Sequence, residues 1–285
     1  MGVKFIEGES MIQQPKIFIV NFIRHAMFIA TVFLLALVPA RAGTLMGSTI
    51  RICDDGAEWP PYSYYKRLDG RSTKDVVGFS VDVIASIFKK ANLSFSIELL
   101  PWARCQAEVA NGLKYQMTLA ASYNEERAKT YHLSRAYYRT TNYYFYSRTA
   151  HPTGLKIDSV ADLKKYKVCG LFGYNYETYG LPPGSVDQGT KNFSALTLKM
   201  LHADRCDLFL EKYEVMAGFA ATGQDFLSDK NLGRAPVPGM APTKFYMMIS
   251  RQSEHASELL KLINDGLAEM ESSGLLEEMR KKYIH

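Results

Sequence analysis

The chain has 285 residues, of which 34 are basic and 29 acidic, and 47 % are apolar. A net charge of +5, scattered rather than gathered in runs, gives no footprint for nucleic acid. The five histidines beyond residue 42 stand singly, without the spacing of metal ligands, so no metal and no cofactor is expected.

Residues 28–40, "FIATVFLLALVPA", form an apolar run shorter than the ~20 residues that span a bilayer. Arg24 and His25 precede it, and Ala40, Arg41 and Ala42 give a small-x-small end. These are the three parts of a secretory signal peptide, expected over residues 1–42. The alternative is a membrane anchor, against which the short run and the cleavage-like triplet both argue. Met11 and Met27 are alternative starts. Beyond Ala42, 30 basic residues face 27 acidic ones, in a soluble exported part of some 240 residues. That length suffices for one large core or two medium ones. All four cysteines (53, 105, 169 and 206) lie in this part, and an even count in an oxidising compartment favours disulfides.

In chain order, "STIRICDD" reads as a strand and "PPYSYYKRLDGRSTKDVVG" as a loop rich in turn residues. "FSVDVIASIFKKANL" places Val81, Ile84, Ile87 and Phe88 at helical spacing. Strand "SFSIELLP", helix "WARCQAEVANG" and strand "YQMTLAAS" follow, and "NEERAKTY" opens a further helical turn. After strand "TTNYYFYS" the order repeats: strand "KVCGLFG", a tyrosine-rich helix, strand "SVDQGT", helix "NFSALTLKMLHA", strand "RCDLFLE" and helix "YEVMAGFAATG". Strand "KFYMMISR" and two helices close the chain. Strands alternating with helices argue for mostly parallel sheets flanked by helices, an α/β fold. The number of units suggests two lobes, one inserted in the other: residues 43–141 with 245–285 as lobe 1, and 142–244 as lobe 2. A cleft between two such lobes suits a small ligand.

The run "GFSVDVIASIFKKANLSFSIELLPW", then "EVANG", then "SYNEERAKTYHLSRAYY", with "GLAEMESSGLLEEMRKKYI" at the end, resembles the extracellular solute-binding proteins of family 3. The resemblance covers about residues 48–284. It implies a two-lobed periplasmic-binding-protein fold of type II, a small carboxylate-bearing ligand such as an amino acid, an inner-membrane ABC transporter permease as partner, a periplasmic location and a monomer.

It also implies the site. Arg127 would grip the ligand carboxylate, since a planar guanidinium fork matches a carboxylate and stays charged. Without the resemblance, Arg127 reads as a solvated charge whose removal costs little stability. Ser122 would donate its hydroxyl to the same carboxylate. Trp59 and Trp102, each beside a proline after a strand, would sandwich the ligand, the alternative being two core tryptophans, and Arg104 would add a second positive group or simply begin a helix surface. Gly173, Tyr174, Asn175 and Tyr176 would offer free amides at the start of the tyrosine-rich helix, whose tyrosines, unusual for the family, would make the pocket broader and more aromatic or pack between the lobes. The disulfides would be Cys53–Cys105, whose elements end at the same side of lobe 1, and Cys169–Cys206, on strands that the family's sheet order makes neighbours in lobe 2, with none between lobes, where a bridge would lock the hinge; the alternative is four buried thiols.

Three positions depart from the family pattern: Tyr115 and Ala120 replace an acid and a hydroxyl, and Lys212 stands where an aspartate would meet the ligand ammonium. If Lys212 faces the cleft, a ligand ammonium would meet a like charge; if the register shifts by one residue, Glu211 takes the place of its partner. Two other readings remain: an enzyme of the cyclohexadienyl dehydratase type using Glu211 beside Lys212, and a receptor or sensor module signalling through a separate partner.

Overall fold

The computed structural model describes Met1, Gly2, Leu45 and residues 47–284. The expected signal peptide lies outside the described residues but for its first two. Among the described residues no helix is long and apolar enough to cross a membrane.

Two mixed sheets organise residues 47–284. The first has the order β4 (Ser94–Leu100), β1 (Thr49–Asp55), β5 (Met117–Ser122), β13 (Thr243–Ser250) and β6 (Tyr131–Leu133), with β7 (Tyr138–Thr140) also on β13. Strands β4, β1 and β5 run parallel, and β13 returns antiparallel. β5 is buried at every position, which is why "MTLAAS" shows no polar alternation. Helices α1 (Phe79–Lys90), α2 (Trp102–Asn111), α6 (Ala256–Ser272) and α7 (Leu275–Lys281) accompany this sheet. α3 (Glu125–Thr130) is capped by the Asn124 side chain, which accepts from the Arg127 amide.

The second sheet has the order β10 (Val186–Thr190), β9 (Val168–Leu171), β11 (Leu208–Lys212), β8 (Asn142–Ser147) and β12 (Leu232–Pro236). α4 (Phe193–Ala195) continues as a π-helical turn over Leu196–Leu201, and α5 (Tyr213–Gly218) follows β11 directly. The chain passes from one sheet to the other at Thr141 and again between Pro236 and Thr243. The Glu214 carboxylate accepts from both the amide and the hydroxyl of Thr141, at 2.8 Å each. Asn142 accepts from Thr243 Oγ1 at 2.8 Å and donates to the Ala241 carbonyl at 2.9 Å. Both crossings are thereby bound to the end of the second sheet.

Two elements differ from the sequence reading. The loop after Trp59 contains a β-hairpin, β2 (Tyr64–Leu68) and β3 (Arg71–Val77). Its turn is Asp69–Gly70, with φ of 50° and 75°, the Asp-Gly pair that two-residue hairpin turns favour. The tyrosine-rich segment is no α-helix but a 3-10 turn over Glu177–Tyr179. Gly173 and Gly180 take positive φ on either side of it, and Pro182 and Pro183 stop any continuation.

Each half carries one disulfide, Cys53–Cys105 and Cys169–Cys206, with Cα atoms 5.7 and 5.9 Å apart. The first ties the end of β1 to α2; the second ties β9 to the chain just before β11. The separations of 52 and 37 residues correspond to about 4 kcal/mol of loop-closure stabilisation each. Non-reducing peptide mapping of exported protein is expected to yield these two linked peptides. Free thiols, or a peptide joining residues 53 or 105 to 169 or 206, contradict the arrangement.

Candidate functional site

The strand ends of the two sheets face each other, and a cavity of about 480 Å³, counting its open mouth, lies between them. The lobes touch around it. Gly173 (φ +80°) approaches α2 so closely that a Cβ would stand 3.2 Å from Ala103 Cβ. A Cβ on Gly218 would stand 2.6 Å from the Pro60 carbonyl carbon. Asn175 Nδ2 reaches across to Ser122 Oγ at 3.2 Å and to the Tyr123 carbonyl at 2.9 Å.

Arg127 is the first wall of the cavity. It is 6 % exposed, so it is not a solvated charge, and that burial removes the ground for expecting its loss to behave as a surface change. The α3 cap turns its side chain inward. Nη1 donates to the Ser122 carbonyl at 3.0 Å and to Ser122 Oγ at 3.1 Å, and Nε donates to Gln106 Oε1 at 3.3 Å. The guanidinium lies 5.5 Å from the Trp102 ring centroid. No carboxylate of the described residues pairs with it. Desolvation lowers its pKa to about 10, and an incoming carboxylate would relieve that cost. Ser122 Oγ accepts from both Arg127 and Asn175, so its lone pairs are engaged and its own hydrogen can donate to a ligand.

Trp59 and Trp102 also line the cavity and are nearly buried, at 5 % and 7 % exposed. Trp59 donates from Nε1 to the Tyr138 hydroxyl at 3.2 Å, which fixes its ring against Phe245. Both tryptophans are at once core and cavity wall. Trp102→Ala removes the surface under Arg127 and is expected to weaken carboxylate binding roughly tenfold, with a smaller ligand-induced change in tryptophan emission. Unchanged affinity would remove Trp102 from the site.

The far wall carries the remaining charges. Glu211 is 2 % exposed; Oε1 accepts from the Lys212 amide at 2.8 Å, while Oε2 has no hydrogen-bond partner. Burial raises its pKa. Lys212 lines the cavity too, but Nζ is held by Asn142 Oδ1 at 2.6 Å, the Tyr179 hydroxyl at 3.0 Å and Thr243 Oγ1 at 3.4 Å. Burial lowers its pKa. Asp55, at the end of β1, is the second buried carboxylate of the cavity, with its pKa raised to about 7 by desolvation.

Two of the residues read from the sequence stand apart. Arg104 is an outward residue of α2: its side chain is 61 % exposed and lies 3.7 Å from Glu108. Trp102, Cys105 and Val109 take the inward face at helical spacing, which leaves position 104 to solvent. Gly173 lines an outer groove rather than the cavity. Its amide already donates to Gln188 Oε1 at 3.2 Å, and the Tyr174 amide donates to the Leu171 carbonyl at 3.2 Å. With no helix there, neither amide offers an anion site. Tyr174 and Asn175 contribute side chains instead. Tyr176 and Tyr179 line the cavity as well, so the tyrosines of this segment do broaden it with aromatic surface, while Asp55 and Phe245 belong to the cavity without having been singled out in the sequence. Of those two, only Asp55 carried a signal, an acid at the C-terminal end of a strand.

Residues 50–285 match the model of the bacterial extracellular solute-binding proteins, family 3. The chain belongs to that family. A probable histidine-binding protein of Neisseria gonorrhoeae is 23 % identical, over 84 % of each chain. The probable amino-acid-binding protein YxeM of Bacillus subtilis is 25 % identical, over 81 % of this chain and 83 % of its own. Among solved structures, the amino acid ABC transporter substrate-binding protein AbpA of Streptococcus pneumoniae, bound to L-arginine, superposes with a TM-score of 0.64. It is 19 % identical, covering 83 % of this chain and 94 % of that one. These likenesses show the type II periplasmic-binding-protein fold for this member of family 3.

Proposed function

We propose that this family 3 protein is the periplasmic receptor of an ABC transporter and captures a free amino acid by closing its two lobes around it. The observation that carries this reading is a pair of buried, unanswered groups in one cavity. Arg127 lacks a carboxylate, and Glu211 Oε2 lacks a donor. A zwitterion supplies both, its carboxylate to Arg127 and Ser122 and its ammonium to Glu211. Lys212, whose Nζ already has three oxygen partners, does not stand in for the carboxylate clamp. The protein acts as a monomer and delivers its ligand to an inner-membrane permease, with closure by rotation at the two crossings.

A melting screen against the amino acids tests it. A true ligand at a hundred times its dissociation constant adds about 2.7 kcal/mol of stability. No shift with any amino acid would contradict the reading. The raised Glu211 carboxyl also favours a second one, a dehydratase with Glu211 as general acid, since such a group must hold its proton near neutral pH. Turnover in a dehydration assay, lost in Glu211→Gln, would replace the receptor reading.

A further inference from the structure

The two cavity carboxylates are not equivalent. Asp55 has both oxygens engaged: Oδ1 accepts from the Ala57 amide at 2.9 Å, and Oδ2 accepts from the Tyr174 hydroxyl. Glu211 keeps Oε2 without a partner. Asp55 ends a strand of the first sheet, while Tyr174 follows β9 of the second, so their bond crosses the cleft. The Tyr174 ring also meets Trp59 edge-on, with centroids 5.6 Å apart. Tyr174 thus lies on a buried carboxylate and an indole at once, a pairing that would otherwise suit a ligand cation.

We propose that Tyr174 is the specificity-determining residue of this receptor: by capping Asp55 it leaves Glu211 as the cavity carboxylate open to the ligand and excludes amino acids with a cationic side chain. This rests on the amino-acid reading of the cleft. A lysine or arginine side chain entering the cavity would have to strip the hydroxyl from Asp55 or remain a buried charge without a partner, and either is costly. An uncharged side chain meets the rings of Trp59, Tyr174 and Phe245 instead. Discrimination here comes from a penalty on the wrong ligand as much as from contacts to the right one.

Tyr174→Phe keeps the ring and its contact with Trp59 but frees Asp55 Oδ2. Calorimetric titration of the wild type, Tyr174→Phe and Arg127→Ala with the twenty proteinogenic amino acids tests the assignment. The wild type is expected to bind its best uncharged amino acid at least a hundredfold more tightly than L-lysine or L-arginine. Tyr174→Phe is expected to shrink that ratio tenfold or more by gaining affinity for the cationic pair. A wild type that prefers L-lysine or L-arginine overturns the proposal, and so does an unchanged ratio in Tyr174→Phe. Loss of all binding in Arg127→Ala would in those cases leave the amino-acid reading standing. Failure of every amino acid to bind the wild type overturns both. Should Tyr174→Phe not fold, the wild-type preference decides alone.

Discussion

Arg127→Ala is expected to abolish the binding of any carboxylate ligand, a loss of a hundredfold or more, while the ligand-free protein melts near the wild-type temperature. The first part follows from the fork: two charge-assisted hydrogen bonds in a desolvated cavity are worth several kcal/mol to binding. The second follows from burial. Holding this guanidinium at a pKa of about 10 instead of 12.5 corresponds to roughly 3 kcal/mol of desolvation cost. Removing it discards that cost along with its bonds to Ser122 and Gln106, and the two effects oppose each other. Calorimetric titration and thermal melting of the same sample read both parts. Retained affinity, or a variant that no longer folds, would each contradict this view of Arg127.

Glu211→Gln gives the second large effect, and it depends on pH. Burial raises the pKa of Asp55 to about 7 and that of Asp54 to about 6, and it raises Glu211 as well. A carboxyl whose folded-state pKa is raised holds a proton that the unfolded chain has already lost. Its stabilising contribution is therefore present at acid pH and is lost as pH rises through the folded pKa. The ligand-free protein is expected to lose stability as pH rises from about 4 to about 7, by up to about 4 kcal/mol over that whole window for Asp55 alone. Ammonium binding has the opposite slope, because it needs the ionised carboxylate, so affinity should fall as pH drops below about 7. Glu211→Gln should weaken the ligand by a hundredfold or more and flatten much of that slope. It should also melt higher than the wild type at pH 8 and close to it at pH 5. An unchanged slope of affinity with pH would show that Glu211 does not face the ammonium.

How far the sequence reaches is seen best at particular residues. Arg127 and Ser122 lie five positions apart at the end of one strand and the start of one helix, so order and local spacing bring them together. The tryptophans stand beside prolines at strand ends, where a chain leaves a sheet and can line a cleft. Phe245 was out of reach, because it reads as one more apolar residue of β13 and enters the cavity only through the pairing of β13 with β5. Tyr179 was legible only as one of several tyrosines in its segment, because a helix was expected where two prolines and two left-handed glycines allow only a turn. Arg104 failed for the opposite reason: it stands next to a cavity residue in sequence, but a helix turns adjacent positions about 100° apart. Lys212 looked like a like charge set against the ligand ammonium. Its position at the end of β11, opposite Asn142 and beside Thr243, instead directs its charge to the crossings between the lobes.

The most direct test of the central claim alters the ligand rather than the protein. The tightest-binding amino acid from the screen is titrated beside its methyl ester, which keeps the ammonium and side chain but removes the carboxylate charge. Capture through Arg127 predicts one saturable site for the acid and at least a hundredfold weaker binding of the ester. An ester that binds as tightly as the acid would contradict the account.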